Sequence, residues 1–327
     1  MAAPQIHIVG DAYADILATG LSCLPEWGHD VEGLIQIQAG GSAVNQAVHL
    51  AALLKPKGHR VVFHGCIGAD VFGKVVRTRL EEAGVVPSLV EIPEQPTGSC
   101  IVLSGAHDRS FVTCAGATGA MTVAHLSGLV AAVHAADGPL HVHFGGFCCY
   151  GPLRWELPQL LREMRQDASS RGLRFTTSAD INGHAPEHVA GFPAVLEGLD
   201  LFKGNRAEAE AVAGCIGEPV LKALAGNSRT VVVTNGPKGA SFLSEGMTEA
   251  THVPARPVEV KDVTGAGDAF HSALLAQWVY GADLQTAVTW GVAAGSLNCT
   301  VIGGCPTAIT SEAVEEFLQG GGGASTD

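Results

Sequence analysis

Short apolar runs alternate with stretches of helical periodicity along almost the whole chain, and this rhythm restricts the fold more than any other feature of the sequence. A strand, a covering helix and a further strand in the same direction form the unit of a parallel sheet. Residues 6–9 read as the first strand and 43–54 as a helix, with Val44, Ala47, Val48, Ala51 and Leu54 on one face. Residues 60–64, 85–92, 140–144, 173–177, 199–202 and 230–233 read as further strands, and 72–83 and 155–171 as helices. After Thr234, the run Asn235-Gly236-Pro237-Lys238-Gly239 predicts a hairpin into 240–243. A strand-like run at 258–261 and helices near 266–280, 284–299 and 311–318 complete the pattern.

Two segments break the rhythm. Residues 13–38 have no clear helix, and 99–103 and 110–114 are two β-like runs around a turn at 105–108. Both segments are expected to supply a small β-sheet lid, spanning about 13–38 and 97–114. The predicted architecture is therefore α/β: three α/β/α layers on a mostly parallel central sheet, in one unit over 1–318. A flexible glycine-rich tail is expected at 319–327.

Composition narrows the function. With 46% apolar residues in 327, the chain can bury a large core. Nineteen Lys+Arg against 32 Asp+Glu give a net charge of −13, the wrong sign for a nucleic-acid footprint. The nine cysteines form no C-x-x-C pair and read as free thiols of a reducing compartment. No uncharged apolar run reaches the ~18 residues of a membrane span, and the first residues lack a signal-peptide pattern. A soluble cytoplasmic protein is expected.

The chemistry concentrates in Asp262-Val-Thr-Gly-Ala-Gly-Asp268, which opens a helix. Gly265, Ala266 and Gly267 put small residues where the first amides of that helix point outward, an arrangement suited to an anion such as a migrating phosphate. Asp268 in the same turn is a candidate general base; a plain capped helix would carry the same residues. Gly40-Gly41…Asn45 lets a ligand approach the backbone before the first helix, with Asn45 offering a donor and an acceptor to a polyol. Asp11 and Asp15 follow the first strand, where open α/β sheets bind ligands. Asn205-x-x-Glu208 would offer an amide to phosphate oxygens and a carboxylate to a metal-bound water, although alone the pattern carries little. Two better-known motifs fail: Phe270 replaces the third glycine of G-x-G-x-x-G, and Val75 replaces the Ser or Thr of a P-loop at Gly68…Lys74. His141 and His143 share a strand face but lack a third ligand, so they read as packed residues, as do Cys148 and Cys149.

Taken in order, these segments resemble the ribokinase-like carbohydrate kinases, the phosphofructokinase B group. Val9-Gly-Asp-Ala-Tyr-Ala-Asp15 resembles the opening sugar-binding turn and Gly40-Gly41…Asn45 the first signature. The stretches 67–73 and 80–85, Pro96-Thr-Gly98, Asn205-x-x-Glu208, Thr234–Gly239 and Asp262…Asp268 follow in the family's order, covering about residues 5–318. The resemblance implies transfer of the γ-phosphate of ATP to a sugar-like alcohol, with Asp268 as base, 265–267 as anion hole, and Asp15, Gly41 and Asn45 holding the acceptor. It implies Asn205 and Glu208 on phosphate and Mg²⁺, and a nucleotide bordered by Thr234, Gly236, Lys238 and Gly239. It also implies a monovalent cation, usually K⁺, near Asp262, Thr264 and the loop 298–307 through Asn298, Gly303 and Thr307. The assembly implied is a monomer or a lid-mediated homodimer.

Three departures touch the sugar pocket. Ser42-Ala43-Val44 stands where ribokinases usually have Lys-Gly-Ala, Tyr13 where they have Asn, and Gly145-Gly146 where they have a Glu. The expectation is an ATP-dependent sugar kinase of open acceptor identity. A nucleoside kinase of the same fold is the alternative, and a non-catalytic sugar or nucleotide sensor the alternative of another class.

Overall fold

The computed structural model describes residues 4–104, 109–217 and 219–320. The turn expected at 105–108, and the expected tail beyond Gly320, lie outside the described residues. The strands are β1 (Gln5–Gly10), β2 (Tyr13–Thr19), β3 (Leu34–Gly40), β4 (Val61–Ile67), β5 (Val86–Glu91), β6 (Gly98–Ser104), β7 (Arg109–Cys114), β8 (Leu140–Gly145), β9 (Phe175–Ala179), β10 (Leu201–Asn205), β11 (Thr230–Thr234), β12 (Ala240–Ser244) and β13 (Thr251–Val253). The longer helices are α1 (Ser42–Leu54), α2 (Val71–Glu82), α3 (Ser127–Ala135), α4 (Leu153–Ser170), α5 (Arg206–Ala213), α6 (Pro219–Ala225), α7 (Ala266–Trp278), α8 (Leu284–Asn298) and α9 (Ser311–Gln319).

Nine strands form the central sheet in the order β13-β12-β11-β10-β9-β8-β1-β4-β5. It is parallel from β5 to β11, and β12 and β13 add antiparallel at one edge. Strands covered on both faces need continuous apolar runs, and β1 and β8 are buried along nearly their whole length. One face is sealed by a core that includes Leu129, Val133, Leu157, Leu160, Met164 and Leu224 from α3, α4 and α6. The other is sealed by Ala47, Leu50, Val76, Leu80, Ala273 and Val314 from α1, α2, α7 and α9. This is the three-layer arrangement that the rhythm predicts.

A separate four-stranded sheet runs β3-β2-β6-β7. It is mixed, because β2 pairs antiparallel with β3 but parallel with β6.

The local reading needs several corrections. Residues 258–261 are irregular instead of extended into a sheet; Pro254 and Pro257 just before them cannot donate to a ladder. The strand expected at 173–177 lies at Phe175–Ala179. Helices α3, α5 and α6 have no counterpart in the periodicity. In α3 the stretch Ser-Gly-Leu-Val-Ala-Ala-Val is apolar almost all round, which blurs any stripe. Among the described residues, no helix is long and apolar enough to cross a membrane.

The join between β1 and α1 fixes the architecture at its centre. Gly41, before α1, has φ +94°, and a methyl there would stand 2.6 Å from the Asp11 carbonyl oxygen. Gly41→Ala is expected to lose about 1–3 kcal/mol of stability from backbone strain, measured as a lower denaturation midpoint. An unchanged midpoint would mean that this turn relaxes freely.

Candidate active site

From β1 the sheet grows to β4 and β5 on one side and to β8 and beyond on the other, so the order reverses at β1 and β8. Ligands of open α/β sheets bind beyond the carboxyl ends of strands at such a switch point. Here that crevice receives Asp11 after β1, Gly145-Gly146 at and after β8, and the N-terminal turns of α1 and α7.

Asp268, in the first turn of α7, is bound on both oxygens. Ser42 Oγ donates to its Oδ1 at 2.6 Å, and Asn45 Nδ2 donates to its Oδ2 at 3.0 Å. Burial pushes its carboxyl up to about 6 against these two donors, with the Asp180 charge adding to the rise and Lys203 opposing it. An acid so placed remains largely ionised near neutrality and accepts a proton more readily than an ordinary aspartate.

Gly265 caps α7 in the left-handed region at φ +72°, where a methyl would collide with the backbone of Gly304. The Ala266 N–H donates to Val263 O at 3.3 Å and the Asp268 N–H to Gly265 O at 3.0 Å. The Gly267 N–H donates to no acceptor among the described residues. Lys203 on β10, only 6% exposed, brings its ammonium to this turn: a methyl on Gly267 would lie 3.1 Å from Nζ. A free amide at a helix start beside a buried ammonium is a cradle for a multiply charged oxyanion.

The other expected residues divide by what their atoms touch. Asp11 accepts from the Ser42 N–H at 2.9 Å and the Ala43 N–H at 2.8 Å. Both oxygens of Asp11 thus hold the start of α1; burial raises its carboxyl to about 7 despite these bonds. Asp15 on β2 packs its carboxylate against Gly40 and is pushed up to about 6 by burial. Gly41 and Asn45 flank the Ser42 contact to Asp268. The acceptor side therefore comes together around the first turn of α1.

Asn205 and Glu208 form a reciprocal cap on α5. The Glu208 N–H donates to Asn205 Oδ1 at 2.9 Å, and the Asn205 N–H donates to Glu208 Oε2 at 2.8 Å. Spacing of this kind is a helix-start signature in its own right. It leaves the Asn205 amide nitrogen and the second Glu208 oxygen for other partners. Burial raises the Glu208 carboxyl, with Lys203 opposing the rise. Thr234 is the cross-strand partner of Asn205. The turn after it, carrying Gly236, exposed Lys238 and Gly239, is closed by the Asn235 N–H on Gly239 O at 2.8 Å.

Asp262, Thr264, Asn298 and Gly303 also assemble. Asp262 accepts from Thr264 N–H and Oγ1 at 2.9 and 2.7 Å and from the Gly303 N–H at 2.9 Å. Asn298 Nδ2 donates to Thr264 O at 2.8 Å, while its Oδ1 is buried without a hydrogen-bond donor. An orphan oxygen among carbonyls and a carboxylate fits a small cation. Thr307 is exposed and is not hydrogen-bonded into this group among the described residues.

Sequence reasoning passes over Ser42, Gln46, Asp180 and Lys203. Asp180 stands just beyond β9, as Asp11 does beyond β1, so the strand-end rule that selects Asp11 also reaches it. Ser42 and Gln46 lie four apart on α1, the spacing that places two side chains on one helix face. Ligand atoms of His143, Asp180 and His271 lie within 4.8 Å of one another, near enough to share a metal. They are instead hydrogen-bonded: His271 Nδ1 to Asp180 Oδ2 at 3.2 Å, and His143 Nε2 to Gln46 Oε1 at 2.6 Å.

A profile of the pfkB family carbohydrate kinases matches residues 5–310. An adenosine kinase of Schizophyllum commune is 28% identical over 289 residues, covering 81% of this chain and 80% of that protein. The ribokinase of Bacillus subtilis is 26% identical over 323 residues, covering 96% and 99%. The crystal structure of a putative ribokinase II from E. coli in complex with ATP and Mg²⁺ superposes with a TM-score of 0.80 at 23% identity, over 97% of this chain and 99% of that one. The fold is thus ribokinase-like, and with a match that runs from β1 past α8 the chain belongs to the pfkB family of carbohydrate kinases, phosphotransferases that act on an alcohol group of a sugar or nucleoside.

Proposed function

We propose that the protein transfers the γ-phosphate of ATP to a hydroxyl of a small sugar, with Asp268 as general base. The observation that carries this reading is the pairing of an oriented, ionisable carboxylate with the unengaged Gly267 amide and the Lys203 ammonium in one turn. Asp268 takes the proton as the acceptor oxygen attacks, and Asp15, Gly41 and Asn45 hold the acceptor. The Gly267 amide and Lys203 receive the charge gathering on the transferred group, while the expected Ala266 amide is already turned to Val263 O; this is where phosphoryl transfer needs stabilisation. The nucleotide borders Thr234, Gly236, Lys238 and Gly239, with Asn205 toward its phosphates. Mg²⁺, when bound, neutralises phosphate oxygens, with the second Glu208 oxygen reaching it through water. Asp262, Thr264, Asn298 and Gly303 fit a monovalent cation such as K⁺, with Thr307 at the edge of that loop. A cytoplasmic setting agrees with ATP as donor.

The small sheet serves as the lid, excluding water that would compete with the sugar hydroxyl. Adjacent residues of a strand point to opposite faces, so Asp15 and Ile16 face apart. On the Ile16 face, Ile37, Ile16, Ile101 and Val112 form an apolar row across four strands. Ile37 is 53% and Val112 60% exposed. That row favours a lid-mediated homodimer over a monomer; Ile37→Asp is expected to shift sedimentation toward the monomer, and identical sedimentation would remove the assembly reading.

A nucleoside is the second acceptor class, favoured by the similarity to an adenosine kinase. A panel of sugars and nucleosides with ATP, read by ADP release and product NMR, is expected to give one preferred phosphorylated alcohol. A thermal shift without ADP would instead identify a non-catalytic sensor.

Asp268→Asn should lose at least ~10²-fold in turnover while ATP affinity stays within about twofold. The native carboxyl, raised to about 6 from 3.8, binds its proton more tightly than the unfolded chain does. Ionisation therefore costs stability as pH rises from 3.8 to 6, and the cost persists above that. Relative to wild type, the Asn variant should gain roughly 2–3 kcal/mol of stability on going from pH 4 to pH 8. Near-wild-type turnover in this variant would end the general-base assignment.

A further inference from the structure

Behind Asp268 lies a buried set of polar side chains that the reaction above leaves unused. On α1, Gln46 is 1% exposed; His141 and His143 on β8 and Ser178 on β9 are fully buried. Cross-strand register places His141 opposite Thr176 and His143 opposite Ser178. The direction of every hydrogen bond in this set follows by elimination.

Asp180, 2% exposed, accepts the Gly146 N–H at 2.8 Å and faces His271 Nδ1. Burial works against its charged form, yet the His271 hydrogen bond and nearby positive charge hold its carboxyl below the usual range. An ionised carboxylate only accepts. The Gln46 nitrogen must therefore face Asp180, with which it makes a close hydrogen bond, and it also donates to Ser42 Oγ at 3.0 Å. Gln46 Oε1 is thereby turned to His143 Nε2 at 2.6 Å, so that nitrogen carries the proton. Burial keeps both strand histidines neutral at pH 7, holding His143 well below its ordinary value and His141 at about 3.

His143 Nδ1 consequently accepts, at 2.9 Å, the single proton of Ser178 Oγ. Ser178 in turn accepts from His141 Nε2 at 2.9 Å, and His141 Nδ1 accepts from Thr176 Oγ1 at 3.0 Å. Each donor thus points the same way, from Thr176 through His141, Ser178, His143 and Gln46 to Ser42. With its own oxygen taken by Gln46, the Ser42 hydroxyl directs its proton to Asp268 Oδ1 at 2.6 Å.

We propose that Ser42 and Gln46 are positioning residues for the phosphoryl-transfer base, the last links of a one-way hydrogen-bond relay that starts in the sheet and ends on the Asp268 carboxylate. Bonds aligned in one sense strengthen one another, by about 10–30% each. The relay therefore makes Ser42 a stronger donor than an isolated serine and holds the carboxylate in one rotamer. The inference rests on the reading of Asp268 as base.

The charged groups around Asp268 are Asp11 after β1, Asp180 after β9 and Lys203 on β10, beside the neutral donors Ser42 and Asn45 on α1 and the neutral thiol of Cys305 in the loop after α8. His271, on α7 itself, acts through Asp180. Of these, Ser42 gives up an uncharged donor, so its removal changes the base without adding or deleting a charge.

The test is the pH profile of kcat for Ser42→Ala, Ser42→Thr, Gln46→Leu and Asp268→Asn, each checked for folding by thermal melting. Losing a donor to the ionised form raises the pKa of the base, so in Ser42→Ala the acid limb should move up by about half a pH unit or more. Its kcat at the optimum should fall about tenfold, with KM for ATP within twofold. Ser42→Thr, which keeps the hydroxyl, should restore both; Gln46→Leu should move the limb in the same direction by less. An unmoved acid limb in Ser42→Ala while Asp268→Asn is inactive overturns the relay and leaves the base in place. An active Asp268→Asn overturns the base, and the relay with it. If Gln46→Leu does not fold, Ser42→Ala and Ser42→Thr still decide.

Discussion

Two hydrogen bonds, from the first amides of α1 to the Asp11 carboxylate, hold the rest of the site in place. They tie the end of β1, at the switch point of the sheet, to the start of the helix that carries Ser42, Asn45 and Gln46. A carboxylate at a helix start is stabilised by otherwise unengaged amides, typically by about 1–2 kcal/mol. Here that gain does not offset the cost of burial, as its carboxyl at about 7 indicates. Gly146, at φ +66°, packs directly against this carboxylate.

From that anchor, the contact between α1 and α7 sets the distance to Asp268. Ala43 and Ala47 of α1, with Ala269, Ala273 and Ala276 of α7, belong to one core cluster. Small side chains let helices approach closely, which is what allows short serine and asparagine side chains to reach a carboxylate on the neighbouring helix. Ser272 fastens the pair directly, its hydroxyl donating to the Gln46 carbonyl at 3.0 Å.

How much of this was legible in the sequence depends on the range of the interaction. The sheet strands and the long helices follow from local periodicity, and β1 and α1 agree with it closely. Gly265–Asp268 is legible because small residues and an acid in one helical turn leave a contiguous pattern. Asn205 and Glu208 are legible as a pattern but carry two meanings, a helix cap and a ligand pair, and the cap is visibly made. Asp180, Gln46 and Lys203 escape because what makes them matter is cross-strand register and helix packing. His141 and His143 read as packed residues, and they are packed; their polar edges gain a role only through the register of β8 with β9. Proline at 254 and 257 could have warned against a strand at 258–261.

The electrostatics explain how a chain of net charge −13 can offer the proposed place for phosphate. Long-range repulsion is screened over about 8–10 Å at ordinary ionic strength, so the local field decides. Near the Gly267 turn that field combines one buried ammonium, an amide without an acceptor among the described residues and the start of α7, opposed by Asp180 and Asp268. Asp180 is held back by His271, Gln46 and Gly146, which direct their protons onto it and blunt its charge. Asp268 is the acid proposed to face the transfer, and its shift toward 6 means that it would become neutral on taking a proton at little cost. On the proposed reading each acid is matched to a separate task by its donors: Asp11 to the helix start, Asp180 to the relay and Asp268 to the proton. The same reasoning accounts for Lys203, whose burial would be costly alone but is offset by Asp180, Glu208 and Asp268 around it.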